Sequence, residues 1–116
     1  MIETWRLQNN LRFESAHDRI VTITPNPAVD LSTSIDKILP VAKLRGTSER
    51  RDPGGGGINV ARVIKRLGGE AHAVYPVGGS IGDLLRKLLD EEGITSHIST
   101  IAGQTREDFF VNEIST

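Results

Sequence analysis

The sequence contains no cysteine, so it can build neither a disulfide framework nor a thiolate metal site. Only 4% of its residues are aromatic, and any core must rest on valine, isoleucine, leucine and alanine. No apolar run approaches the length of a membrane-spanning helix, and the N-terminus lacks the apolar segment of a signal peptide. No membrane partner is expected, and the expected address is the cytoplasm. Charge of one sign is not in excess either. A net charge of −1 predicts no global attraction to nucleic acid or to an anionic surface. The three histidines, His17, His72 and His97, are scattered without ligand spacing and read as ordinary surface or strand residues, so no metal site is expected. No Gly-Lys pair occurs, which excludes the phosphate loop G-x-x-x-x-G-K-[ST].

What is present is one unusual stretch, Asp52-Pro53-Gly54-Gly55-Gly56-Gly57-Ile58-Asn59-Val60-Ala61-Arg62. Consecutive glycines let backbone approach a ligand closely, and they open into a helical pattern whose first turn offers free N–H groups and the positive end of the dipole. Such a surface suits hydroxyls or anions; a flexible loop before a helix is the plain alternative. The dinucleotide fingerprint G-x-G-x-x-G fails, because its last position falls on Asn59 or Val60, and Arg50-Arg51-Asp52-Pro53 reads as a poor strand before it. From Lys43 to Arg66 seven basic residues stand against Glu49 and Asp52. A phosphorylated substrate suits that field, while a solvated face is the usual fate of such runs.

The chain has 116 residues, enough for one small domain with a modest core. Residues 1–19 are polar and aperiodic and read as an N-terminal extension with no assigned function. Ile20–Thr24 is a β-branched strand stopped by Pro25 and Pro27. Asn26 and Asp30 follow its carboxyl end, where open α/β sheets bind ligands. An aspartate there can accept hydrogen bonds from two ligand hydroxyls; a turn or cap is the alternative. Leu31–Ile38 alternates apolar and polar residues as a half-exposed strand, and a weaker one runs from Leu44 to Arg50. A helix begins at Gly57, with Val60, Val63, Ile64 and Leu67 at core spacing and Gly68 as its stop. Asn59, in its first turn, is open to either a ligand or a capping role. Ala71–Val77 reads as the next strand. Ser80 and Asp83 then form a capping-box variant, followed by a helix whose stripe is Leu84, Leu85, Leu88 and Leu89 and which Gly93 stops. This is a β-α-β unit, expected to cross over right-handed. Ser96–Ile101 and the segment from Phe109 onward are the last strands. By position alone Arg106 favours a salt bridge with Glu107 or Asp108, and Lys43 is a lone surface lysine.

Four segments, Thr24-Pro25-Asn26-Pro27-Ala28-Val29-Asp30, Lys43-Leu44-Arg45, Pro53 through Arg62 and Thr105-Arg106, resemble in order and spacing the carbohydrate kinase family that contains ribokinase and the minor bacterial 6-phosphofructokinase. The uninterrupted glycine run is closer to the 6-phosphofructokinase branch than to the 1-phosphofructokinase branch. The resemblance implies an α/β fold, the N-terminal part of a three-layer α/β/α ribokinase-like architecture, over residues 20–116. It implies a small β lid near 31–50 and 96–116 that also mediates homodimer contacts. It implies a sugar-phosphate substrate, fructose 6-phosphate, bound through Asp30, Lys43, Gly54, Gly55, Asn59 and Arg106, with Arg106 on the phosphate. ATP and Mg²⁺ are the implied cofactors. The family's catalytic base lies in a G-A-G-D segment far toward the C-terminus, which these residues do not contain. No catalytic, nucleotide or metal residue is therefore expected here, and the isolated chain is expected not to turn over substrate. Tagatose 6-phosphate and fructose 1-phosphate are alternative substrates. A stand-alone sugar-phosphate-binding or dimerisation module is a second reading. Nucleic-acid binding through the basic stretch is a weak third, lacking interleaved aromatics.

Overall fold

The β-branched run at the start of the domain forms β1, Ile20–Ile23, and Pro25 and Pro27 end it by removing backbone donors. In the computed structural model the described residues are 19–40, 43 and 45–114, so the expected extension over 1–19 lies outside them except for its last residue. Next come β2, Ala28–Ile35, and β3, Thr47–Gly54. A helix α1, Gly56–Arg66, leads to β4, Ala71–Val77, and a second helix α2, Gly79–Glu91, leads to β5, Thr95–Thr100. The last strand is β6, Arg106–Glu113.

These strands form two sheets. One is parallel throughout, in the order β1-β4-β5. The other has the order β3-β2-β6, with β2 antiparallel to β3 and parallel to β6. The mixed α/β architecture is as expected, but the division between core and lid is not. The strand expected near 96–101 as part of the lid is β5, which pairs with β4 in the core sheet, Tyr75 opposite Ile98. Of the C-terminal segment only β6 joins the small sheet. The strand read as Leu31–Ile38 begins earlier, at Ala28, so Asp30 stands inside a strand instead of in the loop before it. The strand read as Leu44–Arg50 runs on through Pro53 to Gly54, so a strand does lead into the glycine turn. Proline is tolerated because β3 is an edge strand and its missing donor breaks no inner ladder.

The core lies between one face of the parallel sheet and both helices. Ala71, Ala73, Tyr75 and Val77 alternate along β4 and meet Ile58 and Ala61 of α1 and Leu85 and Leu89 of α2. Tyr75 is the largest fully buried side chain among the described residues. Its hydroxyl donates to Ser96 Oγ at 2.7 Å, and burial pushes the phenol above its ordinary value. The leucine stripe of α2 packs as read, with Gly93 (φ 74°) after its end, and Gly68 (φ 85°) follows α1 in the same way. The stripe of α1 does not: Val60 and Val63 are 51% and 50% exposed, while Ile58 and Ala61 are buried. A helix of this pattern can turn either of two apolar edges inward, and the small residue Ala61 allows the closer approach to the sheet.

Two expectations about local chemistry also change. Ser80 and Asp83 make no capping box. The N-cap of α2 is Gly78, without a side-chain cap of its own. Thr105 Oγ1 instead accepts from Gly78 N at 3.0 Å, and Gln104 Oε1 accepts from Ile81 N at 2.9 Å. The loop before β6 therefore caps α2, which ties the small sheet to the core. Secondly, His72 and His97 are not independent. Nδ1 of His72 and Nε2 of His97 lie 2.8 Å apart, and His72 Nε2 is 3.1 Å from Glu70 Oε1. A carboxylate only accepts, so His72 Nε2 carries a hydrogen there. Parallel register, not sequence spacing, brings the pair together.

Thr22 Oγ1 and Thr24 Oγ1 are buried and have no hydrogen-bond partner among the described residues. An unpaired buried hydroxyl costs about 1–3 kcal/mol of desolvation. Thr22→Val keeps the β-branched shape and removes the hydroxyl. It is expected to raise stability by about 1 kcal/mol, seen as a higher urea midpoint at unchanged slope. A lower midpoint would show that the hydroxyl has a partner in solution.

Candidate substrate-binding site

The site forms where the chain leaves the core sheet and enters the small one. Thr24 N donates to Val74 O at 2.9 Å, holding the chain on the parallel sheet one residue past β1. The Pro25-Asn26-Pro27 bend then turns it into β2. A cleft of about 80 Å³ opens at this bend, lined by Pro25, Asn26, Pro76, Ile101, Gln104 and Arg106 among others. Its walls come from segments at the carboxyl ends of β1, β4 and β5, the position ligands take in open α/β sheets.

Asp30 stands on β2, with Asp52 opposite on β3 and Asp108 opposite on β6. Its carboxylate occupies the space a side chain at Gly54 would need: a Cβ built on Gly54 would lie 2.7 and 2.8 Å from its two oxygens. Burial, then the charge of Asp108, push the Asp30 carboxyl above its ordinary value; Arg106 and Arg62 oppose this and Asp52 adds to it. The site thus holds a carboxylate that is partly desolvated and under like-charge pressure. Hydroxyl donors of a polyol can relieve both.

Gly55 is the N-cap of α1 at φ 124°, and no side chain among the described residues caps the helix. No acidic residue lies in the first turn, so its backbone donors are left for another acceptor. Asn59 lies in that turn and is exposed. Its backbone N–H donates to Gly55 O at 2.9 Å, so it stands inside the helix and is not its cap. Arg106, the first residue of β6, reaches back to the bend: Nη2 donates to Asn26 O at 3.3 Å. Its Nη1 donates to both oxygens of Asp108, at 3.1 and 2.9 Å. The salt bridge favoured by position alone is therefore present.

The fold thus gathers Asp30, Gly54, Gly55 and Arg106 around the bend, with Asn59 one helical turn on. Lys43 is not brought to this group. It is exposed in the connection between β2 and β3 and does not figure among the charges acting on Asp30. The basic stretch is also less open than its composition suggests. Arg50 pairs with Asp52 at 2.8 Å, Arg51 with Glu49 at 2.6 Å and Arg62 with Glu92 at 2.9 Å. Arg62 also donates to Pro53 O at 3.3 Å, clipping the end of β3 to α1 and, through Glu92, to the end of α2. Nothing in the helical spacing of Arg62 points to Glu92 as its partner. Asp108 was likewise readable only as an ion-pair partner, because its place opposite Asp30 depends on strand register. Among the described residues no group of three or more His, Asp or Glu side chains could hold a metal ion, and no helix is long and apolar enough to cross a membrane.

A parallel sheet packed against two helices, with Asp30, a glycine-lined helix start and Arg106 beside the bend that leaves it, defines an α/β protein. A family model described as pfkB family carbohydrate kinase matches residues 22–116, and the chain belongs to that family. It is 48% identical over 104 residues to ATP-dependent 6-phosphofructokinase isozyme 2 of Mycobacterium tuberculosis (strain ATCC 25618 / H37Rv), a match covering 90% of this chain and 31% of that protein. It is 38% identical over 86 residues to 1-phosphofructokinase of Xanthomonas campestris pv. campestris, covering 74% of this chain and 27% of that protein. Phosphofructokinase-2 from Escherichia coli, solved in complex with fructose-6-phosphate, matches it with a TM-score of 0.78 at 42% identity, over 83% of this chain and 32% of that one. The chain therefore spans about 30% of the length of the relatives it matches.

Proposed function

We propose that these residues are the sugar-phosphate-binding portion of an ATP-dependent 6-phosphofructokinase. Asp30 accepts hydrogen bonds from sugar hydroxyls, and Gly54 and Gly55 let the sugar approach the backbone. Asn59 adds a side-chain contact from the first turn of α1. Arg106 presents donors to the phosphate, and Lys43, exposed on the β2–β3 connection, is a second cation for it. ATP, Mg²⁺ and the catalytic base belong to other parts of the whole enzyme, which works in the cytoplasm as a homodimer joined through the small sheet, where Phe109 and Phe110 are exposed.

The observation that carries this reading is the placement of the Asp30 carboxylate against Gly54, one strand from Arg106. Calorimetric titration of the chain with fructose 6-phosphate, fructose 1-phosphate, tagatose 6-phosphate and fructose tests it. Saturable binding of fructose 6-phosphate, weaker binding of the other phosphates and little binding of fructose are expected, with no ATP-dependent turnover. Equal binding of fructose and fructose 6-phosphate would remove Arg106 from the reading. Turnover by the pure chain would remove the assignment of the base elsewhere.

A further inference from the structure

We propose that Asp108 is a positioning residue of this site, fixing the Arg106 guanidinium so that one edge of its plane is presented to a phosphoryl group. The inference rests on the sugar-phosphate reading but has a test independent of it. Arg106 uses Nη1 for both Asp108 oxygens, at 3.1 and 2.9 Å, and Nη2 for Asn26 O, at 3.3 Å. The end of the guanidinium is thus pinned between β6 and the bend. Nε and the second hydrogen of Nη2 form the remaining fork, which makes no hydrogen bond to the described residues. Two parallel donors in a fixed plane match two oxygens of a phosphate. A free arginine would have to order its side chain on binding, and Asp108 orders it beforehand.

Asp108 has a second effect on the same site. It lies opposite Asp30 across the β2–β6 ladder. The charged groups facing Asp30 are Asp52 from β3, Arg62 from α1, and Arg106 and Asp108 from β6. Asp52 is paired with Arg50, and Asp108 with Arg106. A dianion that draws Arg106 toward itself leaves Asp108 less compensated. Asp108 therefore couples the phosphate end of the ligand to the carboxylate at its hydroxyl end.

The test uses the chain with Asp108→Asn and Asp108→Ala. Without any ligand, the Asp30 carboxyl carbon is followed by NMR as a function of pH, and the rigidity of Arg106 Nε–H by its heteronuclear relaxation. Both variants are expected to move the Asp30 midpoint to lower pH, since a like charge has gone. Asp108→Ala is expected to make Nε–H mobile, and Asp108→Asn, which keeps an acceptor, to restore part of its rigidity. With fructose 6-phosphate, Asp108→Ala is expected to weaken binding roughly tenfold, the scale of one oriented hydrogen bond to a charged group. The double variant with Arg106→Ala should bind no worse than Arg106→Ala alone. An unmoved Asp30 midpoint with a rigid Nε–H in Asp108→Ala, or additive losses in the double variant, would overturn the proposal. If the wild-type chain binds no sugar phosphate, the functional reading fails, and the ligand-free measurements still decide whether Asp108 fixes Arg106.

Discussion

Asp30→Asn is expected to weaken fructose 6-phosphate binding by at least tenfold while making the free chain more stable at neutral pH. A hydrogen bond to a charged acceptor is worth about 1.5–3 kcal/mol, or roughly one to two powers of ten in affinity. The opposite sign for stability follows from the environment of the carboxylate. Burial and the charges of Asp108 and Asp52 outweigh Arg106 and Arg62, so the folded chain holds the Asp30 proton more tightly than the unfolded chain does. Ionisation of this group therefore costs stability. The cost is fully present above the raised folded value, shrinks as pH falls through it, and is gone below the ordinary carboxylate range. Asparagine removes the cost at neutral pH, with a gain that solvent screening keeps below about 1 kcal/mol. Urea titrations of both proteins at several pH values should show the advantage of the variant vanishing on acidification. Binding by the wild type should fall over the same window as Asp30 takes up its proton. A variant that binds as tightly as the wild type would remove Asp30 from the site.

Much of the core was legible in the sequence because it rests on local rules. The alternation Ala71-His72-Ala73-Val74-Tyr75 can place only one set of residues inward, and β4 does so. The leucine stripe and Gly93 set the length of α2 in the same way. What was misread depends on pairing. Nothing local in Thr95–Thr100 states whether it joins the core or the lid, and the choice is made by parallel ladder bonds to β4. Pro53 argued against a strand until the strand proved to lie on an edge. The capping residues of α2 come from Gln104 and Thr105, more than twenty positions away.

The candidate site divides along the same line. The Pro-Asn-Pro bend and the glycine run with Asn59 are each a local stretch of sequence, and both belong to the segments that carry the resemblance. The row Asp52, Asp30 and Asp108 exists only through the register of three strands. Part of the compensation of the basic stretch was hidden for the same reason: Arg62 finds Glu92 thirty residues on, at the end of the other helix. Charge counting along the chain already sets Asp52 and Glu49 against Arg50 and Arg51, and among the described residues folding adds Glu92 to them, so the stretch keeps most of its positive field.

The second large effect lies in the glycine run, whose four members are expected to respond differently to the same substitution. A methyl group on Gly56 meets nothing within 4 Å. Gly56 opens α1 without a positive φ, so Gly56→Ala narrows the freedom of the unfolded chain and should stabilise the protein by about 0.5–1 kcal/mol. One position on, a Cβ at Gly57 would lie 2.5 Å from Thr24 Oγ1 and 2.7 Å from the carbonyl oxygen of Ile23. The second contact is backbone of β1 and cannot rotate away, so α1 must lift from the sheet at a cost of about 3 kcal/mol. Gly55→Ala meets Thr24 Cγ2 at 2.5 Å and is forced to φ 124°, outside the range of side-chain-bearing residues. A cost of about 2–3 kcal/mol is expected there. Gly54→Ala differs in kind, because the three atoms nearest its methyl all belong to the Asp30 carboxylate, a side chain that can turn aside. Stability should then change little while fructose 6-phosphate binding is lost, since the carboxylate no longer points where the hydroxyls must sit. Thermal unfolding and calorimetric binding of the four alanine variants separate these outcomes. If Gly54→Ala unfolds the chain as Gly57→Ala does, the Asp30–Gly54 contact is part of the packing and not of the pocket. If Gly56→Ala alone abolishes binding while folding normally, the ligand approaches the helix start itself instead of the strand beside it.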